Sequence, residues 1–197
     1  MTRSQARKQR VDARRSAASI VGAAVQVLDD DPEASMEAIA RAAGVTRQTV
    51  YAHFPSREQL LRALLDHLTA EAVAEIDAAD IDSGPAVDAL FRLLKASDRS
   101  TGRYPVLLQT LSAMRLDESD DAQLHAPVAK RLRRILRRGQ EAGEFDAQLS
   151  TDWLIAATIN LGHAAGESVG AGHLSKAEAD DALRTSLLRI LAPGPTE

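Results

Sequence analysis

The stretch Ala38-Ile39-Ala40-Arg41-Ala42-Ala43-Gly44-Val45-Thr46-Arg47-Gln48-Thr49-Val50-Tyr51-Ala52-His53-Phe54 has the pattern of two short helices joined by one tight turn. Gly44 stands just past the first helix, where a left-handed residue costs least, and Thr46 offers an N-cap for a second helix over Arg47 to Phe54. Small Ala40 lets the two helices approach, and Val45 and Val50 fill the angle between them. Upstream, Ser35 is an N-cap for Met36 to Ala43, with Ala38 rather than Glu at the third position, so the capping box is incomplete.

Outward from this core motif the chain is patterned for helices. Ala17, Ile20, Val21, Ala24, Val27 and Leu28 recur at helical spacing and predict a first helix from Arg15 to Leu28, ended by Asp29-Asp30-Asp31-Pro32. Pro55 stops the helix that begins after Thr46, and Ser56 caps the next one, with Leu60, Leu61, Leu64, Leu65 and Leu68 along one stripe. Helical patterning resumes at Val87, Leu90, Phe91 and Leu94, and the polar stretch Ser97 to Arg103 is expected to break it. Further helices are expected over Tyr104 to Leu116, Ala126 to Ala142, Ser150 to Val169 and Ser175 to Leu191. The expectation is an all-α chain of about nine helices, with no strand-like alternation and no internal repeat.

The 197 residues leave room for a small head and a larger helical body. Hydrophobic residues are 45% and charged residues 26%, the balance of a folding chain, and the 3% aromatic content against abundant Ala and Leu favours helices. There is no cysteine, which excludes disulfides, thiolate metal sites and cysteine nucleophiles. No apolar run approaches the roughly 20 residues of a membrane span, so a cytoplasmic protein without membrane contact is expected. A net charge of −4 conceals a polarised molecule. Arg3, Arg7, Lys8, Arg10, Arg14 and Arg15 face only Asp12 in the first fifteen residues, and acidic residues dominate after position 65.

The second helix of the opening motif presents Arg47, Gln48, Thr49 and Tyr51 outward from its N-terminal half, the part of a reading helix that reaches base edges in a major groove. With a basic N-terminus directly before it, this points to double-stranded DNA as partner. One short helix reads few base pairs, so a homodimer on a palindrome is expected, with its heads roughly 34–36 Å apart. The helix holding Ala156, Ala157, Gly162, Ala164, Ala165 and Gly166, with Leu183, Leu187, Leu188 and Leu191 of the last helix, suits a four-helix dimer interface.

The residues Ile39-Ala40, Ala43-Gly44-Val45-Thr46, Thr49-Val50-Tyr51, His53-Phe54, Ser56-Arg57-Glu58 and Leu60-Leu61 together resemble the DNA-binding head of the tetracycline-repressor (TetR) family, closely over 14 to 65. The resemblance implies a basic arm over 1–14, a helix-turn-helix DNA-binding domain over 15–62, and a ligand-binding and dimerisation domain over 63–197. It implies a homodimeric repressor released from a palindromic operator by a small-molecule effector, with no enzymatic activity and no cofactor. By the same resemblance Ser35 and Thr46 would contact phosphate, Arg47, Gln48 and Thr49 would face bases, Tyr51 and His53 would contact the backbone, and Arg57 would reach phosphate from the start of the fourth helix. Arg47-Gln48 departs from the smaller pairs common in the family, which bears on the operator's identity.

Phe91, Leu94, Tyr104, Leu108, Leu111, Met114, Trp153 and Asn160 are candidate walls of a ligand cavity, with plain core packing as the alternative for each. Asn160 and His163 would orient a ligand or bond across a dimer interface. His53 has no second histidine or carboxylate nearby in sequence to make it a metal ligand, and no metal site is expected. The run Lys130 to Arg138 is a second basic cluster, either a helix face paired with the acidic body or a second nucleic-acid or lipid surface. The arm is either a solvated tail or a groove contact. An enzyme would need a Gly-rich phosphate loop, metal-spaced His and Glu, or a nucleophile elbow, and none is present. A helix-turn-helix adaptor that has lost DNA would lack the basic arm and the polar reading face, both of which this chain has.

Overall fold

The computed structural model describes residues 3–112 and 118–193, with the side chains of 3, 4, 6, 8–10, 101, 112 and 118–122 left aside. Among the described residues there are nine helices and no strand: α1 (Arg3–Asp30), α2 (Met36–Ala42), α3 (Arg47–His53), α4 (Arg57–Asp77), α5 (Ala86–Thr101), α6 (Pro105–Ser112), α7 (Glu118–Glu141), α8 (Thr151–Gly170) and α9 (Lys176–Leu191). Contacts group residues 3–71 with 100–112 in one unit and 72–99 with 119–193 in another.

In the first unit the apolar faces of α1, α2, α3 and α4 meet around Ile20, Leu28, Ile39, Val50, Leu60 and Leu64, all fully buried. Each residue comes from the stripe that its helix's 3.6-residue period turns inward. Leu107 and Leu111 of α6 join the same core. Asp29, near the end of α1, accepts through Oδ1 from the amides of Val106 and Leu107, both at 3.0 Å, and so satisfies two amides at the start of α6 that have no partner within the helix, Pro105 having no N–H to offer. The second unit buries Ile76, Leu90, Leu93, Leu132, Ile135, Leu136, Phe145 and Leu154. Phe145 lies so close over Gly139 that a Cβ there would fall 2.1 Å from its ring, which explains the glycine.

Three helix boundaries differ from the sequence expectation. α1 begins at Arg3, not Arg15, because Arg, Lys, Gln and Ala are good helix formers and no Pro or Gly intervenes, although Arg7, Val11, Arg14 and Arg15 are exposed and give no amphipathic signal. α5 runs through Ser97 to Thr101, since Ala96 and Ser100, four apart on its inner face, are both buried. α7 begins at Glu118 rather than Ala126 and holds Pro127 inside it, where the ring removes one backbone bond without ending the helix. The expected helix over Tyr104 to Leu116 is described as far as Ser112, and the rest lies outside the described residues.

Candidate nucleic-acid interface

The turn between α2 and α3 is built as a closed C-cap. Gly44 adopts φ +67°, its amide donates to the Arg41 carbonyl at 3.2 Å, and the Val45 amide donates to Ala40 at 3.0 Å. These two bonds satisfy the last carbonyls of α2 and require a left-handed residue at position 44. Ala40, only 3% exposed, and half-buried Val45 lie where the two helices meet, and Val50 anchors α3.

Both short helices are capped by side chains. Ser35 Oγ accepts from the Ala38 amide at 3.2 Å, and Thr46 Oγ1 accepts from the Thr49 amide at 3.1 Å. With Ala38 at the third position, no reciprocal carboxylate closes a capping box on α2. The Thr46 and Thr49 hydroxyls lie 2.8 Å apart, within hydrogen-bonding distance, so the Thr49 hydroxyl is already paired with the cap.

Burial sorts the residues of α3 by face. Val50 is fully buried, Thr49 and His53 are half-buried, and Arg47, Gln48 and Tyr51 are exposed. Gln48 has no hydrogen-bond partner among the described residues, and Arg47 has only the Tyr51 ring, whose centroid lies 5.3 Å from the guanidinium carbon. His53 packs at 6.2 Å from the ring of buried Phe54, tilted by 46°. Ser35 and Thr46 are exposed beside this face, so seven of the eight residues read from the sequence as DNA contacts lie on α3 or on the caps of α2 and α3. The eighth, Arg57, is differently employed: Nη1 donates to the Ala34 carbonyl at 2.6 Å and Nη2 to the Pro32 carbonyl.

The candidate cavity residues are divided between the two units. Phe91 and Leu94 pack against the core of the second unit, whereas Tyr104, Leu108 and Leu111 belong with the core of the first. Trp153 is 61% exposed, Asn160 is exposed with its amide donating to Ala156 at 2.8 Å, and Met114 lies outside the described residues. The Arg184 guanidinium sits over the Phe91 ring at 4.3 Å, and His163 packs on His125 at 4.9 Å. Leu187 and Leu191 are buried in their own unit and Leu183 partly so, leaving Leu188 as the exposed leucine of the four assigned to a dimer face.

Four of the six cations of the second basic cluster are engaged within their own unit. Arg131 pairs with Asp77 through Nε at 2.7 Å, Arg133 with Asp152 at 2.6 Å and Arg134 with Asp82 at 2.6 Å, and Arg138 donates to the Asp82 carbonyl. The hydrogen bond from Arg131 holds the Asp77 carboxyl below the usual carboxylate range. Sequence reasoning had no means of finding Asp29 as the cap of α6, because its partners lie 77 and 78 residues away.

Two short capped helices around a glycine turn, with one face anchored and the other polar and open, define a helix-turn-helix protein. Residues 20–64 match the family model described as bacterial regulatory proteins, tetR family. Over those residues, which hold the helix-turn-helix, the chain is similar to the tetR family. The HTH-type transcriptional repressor LfrR of Mycolicibacterium smegmatis is 44% identical over 94 residues, 48% of this chain and 48% of the relative, so the match spans about half the length of that curated relative. The crystal structure of the TetR-like transcriptional regulator LfrR from Mycobacterium smegmatis in complex with proflavine is similar over 92% of this chain and 99% of that one, at 28% identity and a TM-score of 0.58. The transcriptional regulator FadR from Bacillus subtilis in complex with stearoyl-CoA shares the fold at 17% identity, covering 88% of this chain and 98% of its own, with a TM-score of 0.73.

Proposed function

We propose that this chain is a sequence-specific DNA-binding transcriptional repressor that sits on a palindromic operator as a homodimer and is released by a small organic effector. The observation that carries the reading is the outer face of α3, where Arg47 and Gln48 stand exposed beside Thr49 and Tyr51 while Val50 is fully buried. Arg suits guanine and Gln suits adenine at major-groove edges. Ser35, Thr46, Tyr51 and His53 are assigned to the phosphate backbone, which positions the reader without specifying sequence. The resemblance to LfrR, a transcriptional repressor, supports the direction of control.

A reading domain over 15–62 and a regulatory domain over 63–197 are assigned on the same basis. Dimerisation is assigned to α8 and α9. Trp153, Ala156, Asn160, Ala164 and Glu167 are exposed along one side of α8, and Leu188 is exposed on α9. The effector is held to act by preferring a dimer whose heads no longer match successive grooves, and it shifts that equilibrium only by its differential affinity, typically about 1–3 kcal/mol. The protein works in the cytoplasm, without turnover, and no helix among the described residues is long and apolar enough to cross a membrane.

The test is enrichment of random duplex DNA on the full chain at two salt concentrations, followed by displacement with proflavine, the compound in the LfrR structure, as first probe. Recovery of a palindrome bound tightly and salt-dependently is the expected outcome. Weak, sequence-blind binding at both salts would overturn the reading.

A further inference from the structure

Arg57 is the first residue of α4, and a cation there sits at the positive end of the helix dipole, where electrostatics alone disfavours it. The structure shows what compensates. The half-buried guanidinium turns away from its own helix and donates Nη1 to the Ala34 carbonyl and Nη2 to the Pro32 carbonyl, 23 and 25 residues earlier in the chain. Those carbonyls belong to the loop between α1 and α2. The same loop is closed internally by the Ala34 amide on the Asp31 carbonyl at 3.0 Å and the Glu33 amide on Asp31 Oδ1 at 3.1 Å. It is anchored by the Ala34 side chain, 6% exposed, and it leads directly into Ser35 and α2.

We infer that Arg57 is a positioning residue for DNA reading: its fork fixes the α1–α2 loop, and with it α2 and the reading helix α3, against the start of α4. The inference rests on the DNA-binding reading above and assigns Arg57 no phosphate of its own. Two of the five guanidinium N–H groups, one on each terminal nitrogen, already serve backbone carbonyls and fix the group's place, whereas Arg47 and Gln48 have no hydrogen bond among the described residues. The role demands arginine. Two carbonyls two residues apart are matched by a planar fork with divergent donors, whereas an ammonium is a compact point charge on a flexible stem. A phosphate contact, by contrast, would be served by either cation.

The experiment measures affinity for the enriched operator and for unrelated duplex across a salt series, using the full chain as wild type, Arg57→Lys, Arg57→Gln and Arg57→Ala. The expected result is a loss of operator affinity of about tenfold in all three variants, the scale of losing hydrogen bonds to a charged donor. The slope of log affinity against log salt and the binding to unrelated duplex stay at wild-type values. Full rescue by Arg57→Lys, or a fall in the slope of about 0.9 in Arg57→Ala and Arg57→Gln, would overturn the inference in favour of a direct phosphate contact. Thermal unfolding of each variant is followed in parallel. A loss of affinity that vanishes at temperatures where the variant is fully folded reduces Arg57 to a stabilising residue and equally overturns the inference. Failure of the wild type to enrich any sequence defeats the DNA-binding reading itself, separately from the role of Arg57.

Discussion

Arg47 and Gln48 on α3 stand exposed with no ion pair or hydrogen bond among the described residues, whereas Arg131, Arg133 and Arg134 on α7 each meet a carboxylate of their own unit. By composition the α7 run is the more basic of the two, yet three of its six cations meet carboxylates and Arg138 a backbone carbonyl inside the protein. What marks a surface for an outside partner is therefore the absence of internal partners for its polar groups, and a count of arginines does not reveal that.

The comparison is most severely tested by removing what holds the open face in place. Ile39 is fully buried between α2 and the rest of the first core, and Ile39→Ala is expected to cost about 2–5 kcal/mol in denaturant unfolding. Operator binding should fall with it. Unchanged stability would mean that α3 is not held by this core.

The next largest effect concerns the open face itself. Arg47→Ala and Gln48→Ala should each lose about 1–3 kcal/mol of discrimination between the preferred base pair and a substituted one, measured by competition between operator variants. Arg133→Ala and Arg134→Ala on α7 should leave those competitions unchanged. If the α7 substitutions relaxed sequence preference as much as those on α3, the division between open and engaged basic residues would be wrong.

A smaller effect is expected at the turn. Nothing lies within 4 Å of a Cβ built on Gly44, so Gly44→Ala meets no clash and is penalised only through its φ of +67°. A cost of about 1 kcal/mol is expected from that conformation, read as a lowered unfolding midpoint. Gly139→Ala should cost clearly more, because its Cβ would strike the Phe145 ring.

The smallest effect is electrostatic. Arg131 lowers the Asp77 carboxyl chiefly by its hydrogen bond, so the folded state binds that proton less readily than the unfolded chain. The pair's contribution is present above the unfolded value of about 4 and is lost as the pH falls through the lower folded value. Asp77 is largely solvent-exposed, which limits the contribution to within about 1 kcal/mol. Wild type and Asp77→Asn should therefore differ slightly in unfolding midpoint at neutral pH and converge in acid.

The sequence by itself determined the helical class, the helix-turn-helix, its caps at Ser35, Thr46 and Ser56, and the outward row Arg47, Gln48 and Tyr51. These features rest on interactions within a few residues, namely a hydroxyl on an amide three residues on, a left-handed glycine, and a 3.6-residue period. The same local logic misplaced the start of α1, where good helix formers carry no apolar stripe. It also treated Ser97 to Arg103 as a break, although Ser100 is buried. Only the tertiary structure decided that Arg57 serves the carbonyls of Pro32 and Ala34, that Asp29 caps α6, that the α7 arginines answer Asp77, Asp82 and Asp152, and that the candidate cavity residues fall into separate groups. Their partners lie roughly 20 to 80 residues away along the chain, and a side chain's charge or polarity carries no record of which distant group the fold brings to it.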